Sequence, residues 1–336
     1  MTLDVRAVTR PLAEHADLVP DLNDVARGDG TLFVRDGVGV AGRGVAARVT
    51  TDDVLDLLSS LPHDAGVDGI APTALGVLPF EPGAPGTAIL PRVLVGKDAD
   101  GRCWVTAIHA DDGDDGGVDA AVAEALTPPA APIATASSYH LRPVVAVAHY
   151  RAAVRAARDA VRAGELTKAV IARPIEVVAD EPIDVHAVLR RLKASFGSSY
   201  RYSIDGFVGA SPELLVELCG PVVRSHPLAG TAPRTGDLDN DARIADALVA
   251  SVKDQVEHRV VIDVVHDTLL PWASYLDWEP EPSIVTVANV QHLGTRMEGR
   301  LSQPGPDVLE LVRALSPTPA VGGHPRGAAL ELIRRV

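Results

Sequence analysis

The sequence contains little cysteine, few aromatic residues and no excess of basic charge. Its 336 residues include two cysteines, and Phe, Trp and Tyr together make up 4%. Two cysteines, Cys103 and Cys219, are too few for a disulfide framework or a cysteine-based zinc site. The length allows one large domain or two, and either can bury a full core without disulfides or structural metals.

The balance of charge is acidic, with 31 basic and 45 acidic residues and a formal net charge of −14. The chain therefore lacks the clustered Lys and Arg that contact nucleic-acid phosphates. It has no run of ~18 apolar residues that would predict a membrane span. The N-terminus has no apolar segment typical of a secretory signal. We expect a cytoplasmic protein with neither nucleic-acid nor membrane partners.

Turn residues and apolar periodicity divide the chain into two parts. Residues 1–140 alternate short strand patterns with loops rich in Gly and Pro, which predicts a β-rich part with few candidate catalytic residues. Residues 141–336 are more regular. There the spacing predicts a helix over His149–Ala163, a buried strand over Leu166–Arg173 and one long helix from Asp237 to about Leu270.

Three patterns resemble ligand motifs but lack the context that each motif needs. The Gly-x-Gly-x-x-Gly pattern at residues 37–42 is followed at 45–49 by strand-like residues and not by a helix, which favours a glycine-rich hairpin over a dinucleotide site. The acidic loop 111–117 lacks the ligand order of a calcium-binding EF-hand, which favours a solvated loop. His258 and His266 have no third ligand, so core or surface histidines are favoured over a zinc site.

Three ionisable residues stand out by their surroundings. Lys168 is the only charged residue between Leu166 and Arg173 of its predicted strand, where loss of hydration lowers the pKa of an amine toward that of a general base. The alternative is a lysine that extends to solvent. Glu213 follows the turn residues 209–212 and precedes apolar ones, so it is either an acid kept protonated by burial or a surface glutamate. Glu257 either pairs with Lys253 along a helix or ligates a hard cation.

Six segments occur in an order typical of one enzyme family. They are Gly164-Glu-Leu-x-Lys-Ala-Val-Ile-Ala-Arg173, Gly209-Ala-Ser-Pro-Glu-Leu-Leu215, Pro227-Leu-Ala-Gly-Thr231, Lys253-Asp-x-x-Glu-His258, His292-Leu and Pro317-Thr-Pro-Ala-Val-Gly-Gly323. The set resembles the chorismate-utilising enzymes, which include isochorismate, salicylate, anthranilate and aminodeoxychorismate synthases. The resemblance covers about 145–336.

This resemblance implies an α/β (α+β) fold similar to that of anthranilate synthase, with large, mostly antiparallel sheets flanked by helices. Residues 1–140 are then the N-terminal β-rich part, and 141–336 are the chorismate-binding part. We expect the two parts to form one intertwined domain.

Within the family, the resemblance points to isochorismate synthase, which adds water at C2 of chorismate and expels the C4 hydroxyl. Lys168 matches the lysine that activates water, and Glu213 matches the general acid. Anthranilate synthases typically lack that lysine, and aminodeoxychorismate synthases typically have a nucleophilic lysine where this chain has Ala229. We therefore expect no glutaminase subunit. Salicylate synthases share Lys168 and Glu213 and remain the alternative.

The resemblance also implies a magnesium cofactor and a substrate pocket. Mg²⁺ is expected to bind the ring carboxylate of chorismate and two glutamates, of which Glu257 matches the first. The pocket residues implied by the resemblance are Gly230, Thr231, His292 and Ala320. A monomer is the expected state, and the product serves either menaquinone or siderophore synthesis.

Family members continue past the helix predicted to begin near Pro325. That further stretch carries a substrate-binding arginine, a glycine-rich loop and the second metal glutamate. The sequence is therefore interpreted as C-terminally truncated, and the 336-residue chain alone is expected not to hold Mg²⁺ and chorismate productively. A catalytically incomplete fragment is thus a further alternative to an active enzyme.

Overall fold

Short strands, most of them antiparallel, alternate with helices along the chain. The computed structural model describes residues 5–14, 19–110, 117–127 and 136–336. The strands are β1 (Val5–Pro11), β2 (Thr31–Arg35), β3 (Val38–Arg43), β4 (Ala47–Thr50), β5 (His63–Ala65), β6 (Leu75–Val77), β7 (Thr87–Leu90), β8 (Val93–Lys97), β9 (Cys103–Ala110), β10 (Tyr139–Pro143), β11 (Lys168–Ala169), β12 (Ile175–Ala179), β13 (Tyr200–Ile204), β14 (Phe207–Ser211), β15 (Leu214–Cys219), β16 (Val222–His226), β17 (Leu228–Pro233), β18 (Ala273–Trp278), β19 (Ser283–Thr286), β20 (Val290–Gly294), β21 (Met297–Leu301) and β22 (Gly323–His324).

The helices complete the inventory of regular structure. They are α1 (Leu22–Ala26), α2 (Val54–Ser60), α3 (Gly117–Leu126), α4 (Val147–Arg162), α5 (Val185–Phe196), α6 (Leu238–Ala250), α7 (Val252–Leu269), α8 (Val308–Leu315) and α9 (Arg326–Arg335), with 3₁₀ turns at Leu12–Glu14 and Leu270–Trp272. Over the described part of the chain, no helix is both long and apolar enough to cross a membrane.

The chain divides into two compact units that alternate along the sequence. The first comprises Met1–Pro79, Ala84–Thr135 and Glu181–Pro212; the second comprises Phe80–Gly83, Ala136–Asp180 and Glu213–Val336. The division at residue 140 into two parts of one intertwined domain stays a prediction. Residues 111–116 of the acidic loop lie outside the described residues.

The first unit is built on an eight-stranded sheet with the order β14, β13, β2, β3, β8, β9, β1, β5. Its neighbouring strands are antiparallel, except that β1 and β5 run parallel. Strands β2 and β3 form a hairpin whose turn includes Gly37 at φ +79°, which confirms the hairpin predicted at residues 37–42. Leu22 of α1, Val118 of α3 and Leu189 of α5 are buried in one core with the sheet.

The second unit contains the candidate catalytic residues. It has a four-stranded sheet with the order β15, β16, β21, β18 and a three-stranded sheet with the order β17, β20, β19. Two smaller pairs are formed by β10 with β12 and by β11 with β22. Val261, Val265 and Leu269 on one side of α7 are buried in a core with Leu311 and Leu315 of α8.

The strand predicted over Leu166–Arg173 is shorter than expected, and this prediction was wrong in extent. Only β11 has regular strand structure. On either side of it, the N–H of Thr167 donates to the carbonyl of His324, and the N–H of Val170 donates to the carbonyl of Gly322. The partner strand limits the length at both ends: Pro325 follows it directly and has no N–H to donate toward Thr167, and the turn at residues 318–322 precedes it. A buried strand was also expected, but Lys168 and Ala169 are half-buried.

The prediction of a single long helix from Asp237 to about Leu270 was also wrong, because the helix is interrupted at Ser251. Ser251 has extended backbone angles, φ −73° and ψ 107°, and its side chain accepts a hydrogen bond from the backbone N–H of Asp254. It ends α6 and caps the N-terminus of α7. A serine that satisfies a free N–H of the first turn favours a new helix start over an uninterrupted helix.

The close approach of β22 to β11 depends on Gly323. Its φ is +149°, and a β-carbon there would lie 2.3 Å from the backbone oxygen of Lys168 and 2.7 Å from Ala329 Cβ. We predict that Gly323→Ala lowers the free energy of unfolding by about 1–3 kcal/mol, because the backbone beside Lys168 must move. Urea unfolding measures the change. Gly327→Ala is the matched control, since a β-carbon at Gly327 meets nothing within 4 Å; equal stability of the two variants would contradict the prediction.

Candidate active site

Lys168 lies on β11, opposite His324 of β22. Leu166, two residues earlier, is buried in a small core with Ala157 and Leu332 and so anchors the segment. Burial lowers the pKa of the Lys168 amine, since little water remains to solvate an ammonium group. The carboxyl groups of Glu257 and Glu213 act in the opposite direction, which places both within electrostatic range of the amine.

Glu213 immediately precedes β15 and is the second titratable group of the site. Its side chain is half-buried, and burial raises the pKa of the carboxyl from the ordinary 4.5 to about 7. A hydrogen bond with the backbone of Leu228 and the charge of Lys168 oppose this increase without cancelling it. Near neutral pH a large fraction of Glu213 is therefore protonated and able to donate a proton.

Burial disfavours the charged forms of both the Lys168 amine and the Glu213 carboxyl. Each residue alters the pKa of the other. Two titratable groups whose environments move their pKa values away from the ordinary range are a recurrent sign of paired base and acid roles. The arrangement is suited to removing a proton from one reacting group and donating a proton to another.

Glu257 lies on α7, one turn after Lys253. Lys253 Nζ is 3.4 Å from Glu257 Oε1, and the side chains are 78% and 37% exposed, respectively. An exposed ion pair of this kind contributes little to stability. The Glu257 carboxylate is therefore accessible to a cation that competes with Lys253. Magnesium in proteins typically binds one or two carboxylates and keeps several waters, and Glu257 fits that donor requirement as one ligand. Within the described ranges, no cluster of three or more His, Cys, Asp or Glu could hold a metal by itself.

Gly230, Thr231 and His292 are brought together by the pairing of β17 with β20. Gly230 has φ +75° and lies at an irregularity of this pairing, between Ala229 and Thr231. Thr231 Oγ1 and His292 Nδ1 are 3.0 Å apart in a hydrogen bond. Burial lowers the pKa of His292, and its contact with the backbone of Gly230 partly opposes the decrease. The imidazole is thereby favoured in its neutral form.

Ala320 lies in the turn that leads into β22. The N–H groups of Val321 and Gly322 both donate to the carbonyl of Thr318, at 3.1 and 2.9 Å. Ala320 packs against the core of the second unit, while the Val321 side chain is 51% exposed. The turn is therefore linked to Lys168 through β22, which pairs with β11.

A buried pair of histidines near Lys168 was not linked to the site by the sequence patterns. His258 is 1% exposed, and burial, reinforced by His226 and Lys168, lowers its pKa to about 4. His258 lies in the core and forms a hydrogen bond with Thr295, whereas His266 is half-buried and forms one with Asp267. Two signals were available: His258 directly follows Glu257, and His226 directly precedes the segment Pro227–Thr231.

Comparisons with known proteins identify the family of the chain. The family described as "Chorismate binding enzyme" matches residues 75–336. The chain belongs to this family. A Mycobacterium tuberculosis protein that carries the name MenF is 36% identical over 279 residues, which cover 79% of this chain and 68% of that protein. Isochorismate synthase DhbC of Bacillus subtilis is 37% identical over 207 residues, which cover 58% of this chain and 52% of DhbC.

A solved structure supports the same assignment at the level of the fold. The menaquinone-specific isochorismate synthase MenF of Escherichia coli superimposes with a TM-score of 0.79 at 22% identity, over 98% of this chain and 78% of that one. The predicted α/β class and the predicted family of this chorismate-binding enzyme are confirmed. The family match begins at residue 75, well before the first motif, so the resemblance extends into the β-rich part.

The raised pKa of Glu213 predicts a pH-dependent loss of stability in this chorismate-binding enzyme. The folded pKa of about 7 lies above the ordinary 4.5, so the unfolded chain releases this proton first and stability falls as pH rises from about 5 to 8. An increase from 4.5 to about 7 is equivalent to at most roughly 3 kcal/mol. Glu213→Gln should remove this loss and be more stable than the wild type at pH 8, with a small difference at pH 5.

Urea unfolding at pH 5 and pH 8 measures this effect. The matched control is Glu217→Gln on the same strand, whose side chain is 47% exposed and pairs with Arg224 at 3.0 Å. This control should follow the pH dependence of the wild type. A Glu213→Gln curve parallel to that of the wild type between pH 5 and 8 would show that Glu213 is not desolvated.

Proposed function

We propose that this protein is an isochorismate synthase that converts chorismate reversibly into isochorismate. The observation that carries the proposal is the pair formed by Lys168 and Glu213, an amine with a lowered pKa and a carboxyl with a raised one in mutual electrostatic range. Membership of the chorismate-binding enzymes and the similarity to Bacillus subtilis DhbC support the choice of substrate.

The two residues have complementary roles in the proposed reaction. The neutral Lys168 amine takes a proton from a water molecule while the water oxygen forms a bond to C2 of chorismate. The protonated Glu213 gives its proton to the C4 hydroxyl, which leaves as water while the ring double bonds shift. One water enters and one leaves, and the site then holds an ammonium and a carboxylate. The same two groups run the reverse reaction with exchanged roles.

Four further residues are proposed to contact the substrate. The hydrogen bond between Thr231 and His292 fixes the imidazole beside the irregular backbone at Gly230. Ala320 lies in the turn before β22 and presents only a methyl group, which suits the apolar part of a ring. We propose that the substrate occupies the space bordered by these residues and Lys168.

We propose Mg²⁺ as the cofactor, with Glu257 as a ligand. When bound, the ion neutralises a carboxylate of the substrate, which makes an anionic substrate compatible with an acidic protein. Glu257 would provide one carboxylate donor, and the ring carboxylate, a second glutamate and water would be the other donors. A cytoplasmic location, a monomeric state and independence from a glutaminase subunit stay predictions.

The proposed function predicts that Lys168→Ala abolishes conversion without unfolding the protein. Loss of a general base typically lowers the rate by about 10²–10⁴-fold. The assay follows chorismate and isochorismate by chromatography in the presence of Mg²⁺, using the full-length protein. Lys193→Ala is the matched control, because Lys193 lies on α5 in the first unit, where it pairs with Asp21 at 2.6 Å.

Three outcomes of this assay contradict specific statements. Wild-type activity of Lys168→Ala rules out the role of the amine. Salicylate and pyruvate as the sole products replace the proposed function with salicylate synthase. Conversion of chorismate by the 336-residue chain alone contradicts the expectation that this chain does not hold Mg²⁺ and chorismate productively.

The proposed metal role predicts that chelation by EDTA abolishes activity and that added Mg²⁺ restores it. Glu257→Gln should raise the Mg²⁺ concentration for half-maximal activity at least about tenfold, because a carboxylate ligand is lost. The matched control is Asp263→Asn, since Asp263 also lies on α7 in an exposed pair, 2.7 Å from Arg259. Equal Mg²⁺ requirements of the two variants would remove Glu257 from the metal site.

A further inference from the structure

Two adjacent residues of α7 have opposite surroundings. The Glu257 side chain is 37% exposed, whereas His258 is 1% exposed. Successive side chains on an α-helix point about 100° apart around its axis. The orientation of α7 that exposes Glu257 therefore directs His258 into the core. The orientation of Glu257 is therefore tied to that of His258.

A single hydrogen bond holds the His258 side chain. His258 Nε2 is 2.8 Å from Thr295 Oγ1, and Thr295 is fully buried at 0% exposure. The second ring nitrogen, Nδ1, is buried without a hydrogen-bond partner in the described part of the chain. The polar anchoring of this imidazole therefore depends on one hydroxyl group.

This bond connects the two elements that carry Glu257 and His292 of the proposed site. Thr295 directly follows β20, which carries His292, and His258 directly follows Glu257 on α7. The first turn of α7 also packs closely on β17, since a β-carbon at Gly230 would lie 3.3 Å from Asp254 Cβ. With α7 held against β17 at its start, the bond to Thr295 restrains the rotation of the next turn about the helix axis.

We propose that His258 and Thr295 are positioning residues whose hydrogen bond fixes the carboxylate of Glu257 relative to the Lys168 amine and His292. The inference rests on the proposed function, because it assigns the bond a role at that site. The alternative is a hydrogen bond that stabilises the core and leaves the geometry of Glu257 unchanged. The two explanations predict different effects on Mg²⁺ binding and on kcat when Thr295 is replaced by a residue without a hydroxyl group.

Thr295→Val removes the hydroxyl at nearly constant volume, and Thr295→Ser retains it. The experiment titrates the full-length protein with Mg²⁺ alone by isothermal titration calorimetry and measures kcat and KM for chorismate. We expect Thr295→Val to raise the Mg²⁺ Kd by about tenfold, as loss of an indirect supporting contact typically does. We also expect kcat to fall about tenfold, with KM within about twofold of wild type and with Thr295→Ser close to wild type in every quantity.

Thr268→Val is the matched control, because Thr268 lies on the same helix and its hydroxyl donates to the carbonyl of Val264. It should leave the Mg²⁺ Kd and kcat unchanged. The proposal is overturned if Thr295→Val binds Mg²⁺ and turns over chorismate like the wild type, if Thr295→Ser shows the same loss as Thr295→Val, or if the wild type binds no Mg²⁺. A wild type that binds Mg²⁺ but does not convert chorismate contradicts the proposed function, and the Mg²⁺ Kd values of the variants still decide the positioning role.

Discussion

Loss of hydration at two neighbouring ionisable side chains is the physical effect on which the proposed site depends. Burial disfavours the ammonium form of Lys168 and the carboxylate form of Glu213 at the same time. For Glu213 the increase to about 7 is equivalent to roughly 3 kcal/mol. This is a substantial fraction of the stability of a typical domain, so the rest of the second unit must offset it.

The surrounding backbone explains how this pair is held. Gly323 allows β22 to lie against the backbone of Lys168, and Pro325 ends that contact after two residues. Glu213 directly precedes β15, and the backbone of Leu228 contacts its carboxyl. Short strands and close backbone contacts thus fix the two side chains more firmly than the surface ion pair between Lys253 and Glu257 could.

The sequence was sufficient to identify the candidate residues but not the contacts between them. Lys168, Glu213 and Glu257 lie within contiguous motifs, so their residue types and order could be interpreted without a structure. The hairpin at residues 37–42 depends on local glycine and strand signals, and it too could be predicted. The fold class followed from the family resemblance.

The remaining features depend on partners far along the chain or on one competing local interaction. The extent of β11 is set by residues 322–324, about 155 positions later, which no local pattern reports. Apolar periodicity continues through Ser251 and does not reveal a break in the helix there. The hydrogen bond by which the Ser251 side chain caps α7 favours that break. The bond between His258 and Thr295 joins residues 37 positions apart, so the role of that histidine became visible only in the folded chain.

The proposed reaction joins water to C2 of chorismate while a hydroxyl leaves C4. Mass spectrometry of isochorismate formed in water enriched in ¹⁸O tests this step. One ¹⁸O atom is expected in each product molecule, located in the C2 hydroxyl. Isochorismate that contains no ¹⁸O would show that the hydroxyl moves within the substrate, and it would contradict the roles assigned to Lys168 and Glu213.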